Sequence, residues 1–319
     1  MKVLITGGSG FVGRALIPQL NKVGHDVIVS SRDGGLILPG ATIKSVGELG
    51  PETDWIDALN GVDAVIHLAA RVHVMNETAT DPLAENRRVN SEGTARLAGQ
   101  AVERGVKHFI FLSTIKVNGE ATGPNPFHAA SSPAPKDPYA IAKLEAEKAL
   151  LRIAEQTAMQ VDIVRPPLVY GPGVRGNFAS LLAVCAKGLP LPLANIDNRR
   201  SLIFVGNLAA LIGHILDHPK SGGGVYLARD GEDVSTPELF KRICTALGVT
   251  PRIFPFPQFL LALGGALCGK SAAVSRLTQS LVVDDKPTRS VLDWTPPFSM
   301  VQGLQETADW FKSQPEYER

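Results

Sequence analysis

The sequence KVLITGGSGFVG, residues 2–13, decides how the beginning of this chain folds. Its apolar, partly β-branched start predicts a buried strand, and the glycine spacing Gly7-x-x-Gly10-x-x-Gly13 follows it directly. Glycines permit a positive φ and let backbone N–H groups approach a pyrophosphate at the N-terminus of the next helix. The alternative is a tight strand-to-helix turn without a ligand, and the surrounding elements must distinguish the two.

Further strand-like runs follow at DVIVSS (26–31), DAVIHLAA (63–70) and HFIFLST (108–114), separated by segments with helical periodicity. This alternation predicts βαβ units and a parallel sheet covered on both faces. After VDIVRPPLVYGPG (161–173), proline and glycine become more frequent and the alternation breaks down. We therefore predict an α/β fold: a Rossmann-like doubly wound parallel sheet with a smaller, mixed C-terminal substrate-binding lobe.

The same pattern predicts the domain boundaries. Residues 1–170 should form a dinucleotide-binding domain. Residues 200–228 should return to it, because SLIFVGNLAALIGHIL has the pattern of a strand followed by a helix. Residues 171–199 and 229–319 should then form the substrate-binding lobe.

Composition excludes several classes of protein. The 319 residues include 32 Lys and Arg against 31 Asp and Glu, so the net charge of +1 gives no reason to expect binding to nucleic acid. The cysteines, at 185, 244 and 268, are far apart and indicate neither a zinc cluster nor a disulfide framework. The histidines, His73 among them, lack a ligand spacing, and the His214/His218 pair has no third ligand, so we predict no metal.

The sequence also bears on location. Glycines follow the first apolar run too early for a secretory signal, and a reducing, cytoplasmic compartment fits the cysteine pattern. The apolar stretch at residues 259–267 is shorter than the roughly 20 residues that span a bilayer. We expect no membrane span, and a buried or interfacial helix at that position.

The end of the second predicted strand bears on the cofactor. Folds that prefer NAD usually carry an acidic residue here to bind the ribose 2′-hydroxyl, but this chain has Ser30-Ser31-Arg32. Serine and arginine suit a 2′-phosphate, which favours NADP(H) and leaves NAD(H) possible. An ion pair between Arg32 and Asp33 in a solvated loop is the alternative.

The sequence YAIAK places Tyr139 and Lys143 four residues apart, on one face of a predicted helix. A nearby ammonium stabilises a phenolate, so we expect the pKa of Tyr139 to lie below its usual value of about 10. Ser113 and Thr114 end a predicted strand, where parallel sheets present ligand contacts. Together these residues form a candidate site for proton transfer.

Taken together, the motifs resemble the extended short-chain dehydrogenase/reductase family, and in particular its nucleotide-sugar epimerases, dehydratases and ketoreductases. The resemblance runs nearly from end to end. The motifs that carry it are TGGSGFVG (6–13), DAVIHLAA (63–70), NSEGT (90–94), FLST (111–114), YAIAK (139–143) and RPPLVYGPG (165–173).

This resemblance implies roles for individual residues. The catalytic residues would be Thr114, Tyr139 and Lys143. The cofactor-binding residues would be Gly7, Gly10, Phe11, Val12, Ser31, Arg32, Glu48, Leu68, Ala69, Ala70, Asn90 and Lys143. The substrate-binding residues would be Ser113, Asn177, Arg200 and Arg276.

One departure from the family narrows the activity. Dehydratases of the family typically carry Asp-Glu after the catalytic threonine, whereas Ile115-Lys116 follows Thr114 here, which disfavours dehydration. We predict NAD(P)H-dependent reduction of the 4-keto group of a UDP-linked 6-deoxy-N-acetylhexosamine. A UDP-sugar 4-epimerase that retains NAD is the alternative. A steroid- or flavonoid-type ketone reductase and a non-catalytic cofactor-binding protein are more distant ones. The resemblance also implies a homodimer.

Overall fold

The computed structural model describes residues 1–72, 79–218 and 222–314, and only the backbone of Ala272; His73 lies outside these ranges. The strands are β1 (Lys2–Thr6), β2 (Asp26–Ser31), β3 (Thr42–Ser45), β4 (Ala64–His67), β5 (His108–Leu112), β6 (Gln160–Arg165), β7 (Leu168–Tyr170), β8 (Arg200–Phe204), β9 (Gly224–Leu227) and β10 (Asp233–Val234). The helices are α1 (Phe11–Lys22), α2 (Pro82–Asn86), α3 (Gly93–Glu103), α4 (Pro138–Gln156), α5 (Gly176–Ala186), α6 (Val205–Asp217), α7 (Thr236–Leu247), α8 (Gln258–Leu267), α9 (Ser271–Thr278), α10 (Lys286–Leu292) and α11 (Met300–Lys312).

Seven strands form a parallel sheet in the order β3-β2-β1-β4-β5-β6-β9. The order reverses between β1 and β4, and Thr6 of β1 pairs with Ser30 on one side and with His67 on the other. Ligands of such sheets bind beyond the carboxyl ends of the strands at this reversal. The glycine turn after β1 therefore lies at the expected binding edge.

Each face of the large sheet is covered. Val3 and Ile5 face a cluster that contains α1 and α6, whereas Leu4 between them faces a second cluster that contains α3 and α4. Because successive side chains point to opposite faces, a strand covered on both sides is apolar at every position. The predicted Rossmann-like doubly wound sheet is confirmed.

A smaller sheet has the order β10-β8-β7, with β8 antiparallel to β10 and parallel to β7. It is mixed, as predicted. It packs on a further apolar cluster that includes Phe178 of α5 and Phe240 of α7. The division of the chain at residues 170, 200 and 229 stays a prediction, but β7 and β8 both lie in the smaller sheet, and the chain returns to the large sheet through α6 and β9.

Candidate active site

The glycine turn is shaped so that side chains would not fit. Gly7 has φ +70°, and a Cβ there would lie 2.7 Å from the backbone nitrogen of Ala69. A Cβ on Gly13 would lie 2.5 Å from Gly8 Cα, so this glycine lets α1 close onto the turn. Gly10 begins α1 without a side-chain cap. The first-turn N–H groups of a 12-residue helix therefore face a cradle that fits a diphosphate.

The predicted cofactor residues after β4 are fixed to β1 through the backbone. Leu68 N–H donates to Thr6 O at 3.1 Å, and Ala69 N–H donates to Thr6 Oγ1 at 3.1 Å. Leu68, Ala69 and Ala70 are half-buried, as are Phe11 and Val12 in the first turn of α1. These five residues surround the glycine turn, where the sequence predicts them to contact a dinucleotide.

His67, the last residue of β4, connects β1 to α3 through hydrogen bonds. Its ring is fully buried between two hydroxyls, with Nδ1 2.6 Å from Thr6 Oγ1 and Nε2 2.9 Å from Thr94 Oγ1. Because Thr94 donates to the Asn90 carbonyl at 2.8 Å, its oxygen is left to accept from His67 Nε2–H. Thr6 then donates to Nδ1, which assigns one neutral tautomer. Burial, followed by the charge of Lys143, lowers the pKa of His67 to about 3.

Asn90 lies in a wide helical turn, Arg87–Glu92, between α2 and α3. Its side-chain amide accepts from Arg71 N–H at 2.7 Å and donates to Arg71 O at 2.9 Å. It also donates to Asn86 Oδ1 at 2.9 Å. The predicted cofactor residue thus clamps the backbone that leaves β4, and it acts on the site by fixing this loop.

At the end of β2, Ser31 is half-buried and Arg32 is exposed. The Asp33 carboxylate accepts from the Ser31 hydroxyl and from Gly35 N–H, both at 3.3 Å. Among the described residues Arg32 forms no ion pair with Asp33, so its guanidinium is available at the surface. Glu48 is also exposed, and its carbonyl accepts from Thr53 Oγ1 at 2.6 Å.

The three predicted catalytic residues lie where β5 meets α4. Thr114 follows β5, and Tyr139 and Lys143 lie in the first two turns of α4. Lys143 is buried, and its Nζ donates to Leu112 O at 2.8 Å. The same Nζ lies 4.2 Å from the centre of the Phe111 ring and 5.9 Å from the centre of the Tyr139 ring. The lysine therefore ties the tyrosine helix to the end of β5.

The expectation that Lys143 lowers the pKa of Tyr139 is wrong for the protein without its cofactor. Burial raises the pKa of Tyr139 above its usual value, and the Asp137 carboxylate raises it further. Burial also lowers the pKa of Lys143 to about 7, although Glu147 opposes this shift. The ammonium is thus itself destabilised, and it is directed at a carbonyl rather than at the phenol.

Lys116 explains how the threonine loop is joined to the tyrosine helix. Its Nζ lies 2.6 Å from Asp137 Oδ2, while Asp137 Oδ1 accepts Ala140 N–H at 2.7 Å and caps α4. Pro138 follows at the first helical position, where its fixed φ is favourable. A cation two residues after Thr114 therefore has a positioning role here, in place of the acids that elimination would require.

Ser113 is buried, and its hydroxyl donates to Glu147. The Glu147 carboxylate also binds Arg165 at both oxygens, and Arg165 donates to Asn118 Oδ1 at 3.1 Å. This buried network connects the end of β5 to α4 and β6. The predicted substrate contact of Ser113 stays a prediction, although its hydroxyl already has a partner in the protein.

The structure brings two predicted substrate residues together. Arg200 Nη1 donates to the Arg276 carbonyl at 2.7 Å and to the Gln279 carbonyl at 3.1 Å. Burial and then the neighbouring Arg276 guanidinium lower the pKa of Arg200. Two cations held close together favour an anion between them. Asn177 is exposed in the first turn of α5.

The described residues contain no group of three His, Cys, Asp or Glu side chains that could hold a metal ion. His214, one of the pair considered above, instead hydrogen-bonds the Leu292 carbonyl through Nε2 at 2.7 Å. No helix in the described ranges is long and apolar enough to cross a membrane.

Sequence reasoning missed the residues that position the site, namely His67, Thr6, Lys116, Asp137 and Glu147. Two features of the sequence could have indicated some of these residues. Thr6 and His67 end buried strands with polar side chains, and Glu147 lies one helical turn after Lys143. Their partners come from segments far apart in the chain, so the signals gain meaning only in the fold.

A glycine cradle at the sheet reversal and a Tyr-Lys pair beside a threonine define an NAD-binding enzyme of the epimerase and dehydratase class. The chain belongs to the NAD dependent epimerase/dehydratase family, whose model matches residues 3–228. The family resemblance and the predicted enzyme class are confirmed.

Two relatives and one solved structure are similar over nearly the whole chain. UDP-glucose 4-epimerase from Vibrio cholerae is 43% identical over 318 residues, which cover 97% of this chain and 95% of that protein. A second relative, from Escherichia coli O157:H7, is N-acetyl-alpha-D-glucosaminyl-diphospho-ditrans,octacis-undecaprenol 4-epimerase. It is 27% identical over 325 residues, which cover 97% of this chain and 94% of that protein. The crystal structure of UDP-glucose 4-epimerase with UDP-glucose from Thermotoga maritima has a TM-score of 0.77 at 22% identity, covering 98% of this chain and 99% of that one.

Proposed function

We propose that the protein catalyses hydride transfer at C4 of a UDP-linked hexose derivative. The observation that carries this proposal is the placement of Tyr139 and Lys143 on α4 directly beside the end of β5 and Thr114. The named relatives include two enzymes that invert C4 of a sugar, which supports the same carbon here.

Tyr139, Thr114 and Lys143 have separate roles in the proposed reaction. Tyr139 holds and moves the proton at the C4 oxygen, and Thr114 orients that oxygen through its hydroxyl. Lys143 anchors the tyrosine helix by donating a hydrogen bond to the Leu112 carbonyl. A bound nicotinamide would supply or accept the hydride, and its oxidised form would add a positive charge that favours the phenolate of Tyr139.

The cofactor would lie along the edge of the sheet that the reversal creates. Gly7, Gly10, Phe11 and Val12 would hold the diphosphate, while Leu68, Ala69 and Ala70 would line the path toward the nicotinamide. The buried Asn90 would contribute by fixing the loop after β4. Ser31 and Arg32 would bind the ribose at the far end, next to Glu48. Arg200 and Arg276 would bind the diphosphate of the substrate, with Asn177 and Ser113 nearby.

Reduction of a 4-keto-6-deoxy-N-acetylhexosamine is our first candidate reaction. A reductase exchanges its cofactor in every cycle and benefits from NADPH. Arg32, which forms no ion pair in the described part of the chain, offers a charge to the 2′-phosphate of that cofactor. Ile115 and Lys116 occupy the positions where dehydratases of the family carry Asp-Glu, and the Lys116 ammonium is paired with Asp137.

UDP-sugar 4-epimerisation is the second candidate. The specific observation in its favour is the 43% identity to UDP-glucose 4-epimerase from Vibrio cholerae over almost the whole of both chains. An epimerase uses Tyr139 in both half-reactions and keeps its NAD throughout, so the same residues serve either reaction.

One experiment distinguishes the two reactions. The purified protein is given a 4-keto-6-deoxy UDP-N-acetylhexosamine with NADPH and, in parallel, UDP-N-acetylglucosamine and UDP-glucose without added cofactor. A reductase consumes NADPH in proportion to the ketone and leaves the other sugars unchanged. Inversion at C4 by protein that retains tightly bound NAD, with no net loss of NADPH, would establish the epimerase instead.

A matched control keeps the assay informative. Thr114→Ser retains a hydroxyl at the position that orients the C4 oxygen, whereas Thr114→Ala removes it. The serine variant should keep most of the turnover of whichever reaction is observed, and the alanine variant should lose it. The homodimer implied by the resemblance stays a prediction and is read from light scattering on the same samples.

A further inference from the structure

Helix α8, Gln258–Leu267, presents apolar side chains to solvent on one side. Phe259, Leu263 and Leu267 follow one another at intervals of four residues and are 70%, 55% and 81% exposed. Residues at this spacing share one face of a helix. Exposed apolar side chains grouped on one helix face provide a surface on which a partner can dock.

The opposite side of α8 is fixed to the protein. A Cβ on Gly265 would lie 2.5 Å from Val274 of α9, so the two helices approach closely there. Leu261 packs against the apolar cluster beneath the smaller sheet. One side of α8 therefore packs against the protein, and the side that carries Phe259, Leu263 and Leu267 is not covered by the described residues.

The segment that contains this face carries charges of one sign. The sequence from residue 243 to residue 283 contains Arg252, Lys270 and Arg276 and no Asp or Glu. Leu191 N–H donates to Arg252 O at 2.9 Å, and Phe254 N–H donates to Leu191 O at 3.0 Å. These bonds join the segment to a loop that carries a fourth cation, Lys187, and one exposed carboxylate, Asp197. All four cations are exposed, and in the described part of the chain none forms an ion pair with a carboxylate.

We infer that this face, defined by Phe259, Leu263 and Leu267 with the four cations around it, docks on the surface of an anionic phospholipid bilayer. Apolar side chains enter the boundary between head groups and acyl chains, and cations attract the anionic head groups. A helix of ten residues is too short to cross and would lie in the plane of the bilayer.

A second copy of this chain fits the face less well. A symmetric contact between two copies would bring the same four cations opposite one another, and residues 243–283 contain no carboxylate to compensate them. An anionic membrane complements both the apolar residues and the charge. Of these residues only Arg276 is also proposed to bind substrate, and the apolar face of α8 and the other three cations have no part in the proposed reaction at C4.

The test is flotation of the full chain with vesicles. The protein should float with vesicles of equal parts phosphatidylglycerol and phosphatidylcholine, stay behind with pure phosphatidylcholine, and be released by high salt. The double variant Phe259→Ser/Leu263→Ser should partition about tenfold more weakly or worse. The matched control Val23→Ser/Val301→Ser removes two residues that are 64% and 66% exposed elsewhere, and it should bind like wild type.

A second variant and a second readout guard against misfolding. Arg252→Glu/Lys270→Glu changes only exposed charges and should also abolish binding to anionic vesicles. Cys268 is exposed at the end of α8 while Cys185 and Cys244 are buried, so an environment-sensitive thiol dye labels it selectively. Its emission should shift to the blue when anionic vesicles are added.

Either of two results would overturn the inference. One is a wild-type protein that ignores anionic vesicles, and the other is binding that both double variants leave intact. A dimer in light scattering that Phe259→Ser/Leu263→Ser dissociates, without vesicle binding, would assign the face to self-association. Enzyme turnover measured in solution without lipid should be unchanged in these variants, so failure of the membrane inference is distinguishable from failure of the proposed reaction.

Discussion

The Lys116 ammonium lies 2.6 Å from the Asp137 carboxylate, and this pair connects the loop after Thr114 to the cap of the helix that carries Tyr139. The contact has an electrostatic consequence because Asp137 raises the pKa of Tyr139. The lysine partly compensates that negative charge. The pair therefore adjusts the phenol as well as holding two segments together.

Removing the cation should move the pH profile. In Lys116→Met the uncompensated Asp137 raises the pKa of Tyr139 further, so the alkaline rise of the alcohol-oxidation rate shifts to higher pH by up to about one unit. Lys116→Arg preserves the pair and should keep the wild-type profile. An identical profile in Lys116→Met would show that the pair is only structural.

Tyr139→Phe should abolish most catalysis while leaving the fold intact. The variant removes only the phenolic oxygen, and general acid–base catalysis is worth about 10²–10⁴-fold. Turnover should fall by that range, while nicotinamide binding, followed by fluorescence, stays close to wild type. Turnover near the wild-type rate would exclude Tyr139 as the proton donor.

Arg32→Ala tests the predicted NADP preference. Loss of a charged hydrogen bond to the 2′-phosphate should weaken NADPH binding by about ten- to a hundredfold and leave NADH binding unchanged. Titration of both cofactors measures the difference, with Arg104→Ala at the exposed end of α3 as the charge-matched control. Equal affinities for the two cofactors in wild type would contradict this interpretation of Ser31-Arg32.

Stability should fall as the solution becomes acidic because of His67. Its pKa is about 3 in the fold and about 6.5 when unfolded, so its contribution is complete above pH 6.5 and is lost as the pH falls toward 3. Between pH 8 and pH 5.5 this histidine alone should remove on the order of 1 kcal/mol from the free energy of unfolding. His67→Gln cannot titrate, and its urea midpoint should depend less on pH over this interval. An equally steep dependence would place the titration elsewhere.

Glu147→Gln should strongly destabilise the protein. The variant leaves the Arg165 guanidinium buried without its counter-charge, and breaking a buried ion pair costs about 3–5 kcal/mol. Urea denaturation measures this loss. Glu145 lies on the same helix as Glu147 and forms an exposed ion pair with Arg87. The variant Glu145→Gln should therefore leave the urea midpoint nearly unchanged. Similar midpoints for the two variants would show that the buried network is dispensable.

Local patterns were sufficient for part of this structure. The glycine turn and the Tyr139-Lys143 spacing depend on neighbours within a few residues, and the sequence predicts both where the structure has them. The ring of His67 depends instead on hydroxyls from β1 and α3, which only the fold brings together. The direction of the pKa shift of Tyr139 was unpredictable for the same reason, because burial sets it.

The boundaries between the two sheets were also beyond local patterns. Leu168–Tyr170 has the same β-branched apolar character as a strand of the large sheet, yet it pairs with β8 in the smaller one. Strand propensity describes a residue's fit to a pleated surface and does not specify which sheet it joins.

The path of the chain between its sheets limits how such an enzyme can be recombined. After β6 the chain forms β7 and β8 in the smaller sheet, returns through α6 and β9 to the large sheet, and leaves again for β10. A single crossover between β7 and β8 would therefore combine strands of two parents in both sheets and pair α6 of one parent with α1 of the other. Transplanting a new specificity into this scaffold requires exchange at several junctions at once, whereas point substitutions in the cleft leave the path of the chain intact.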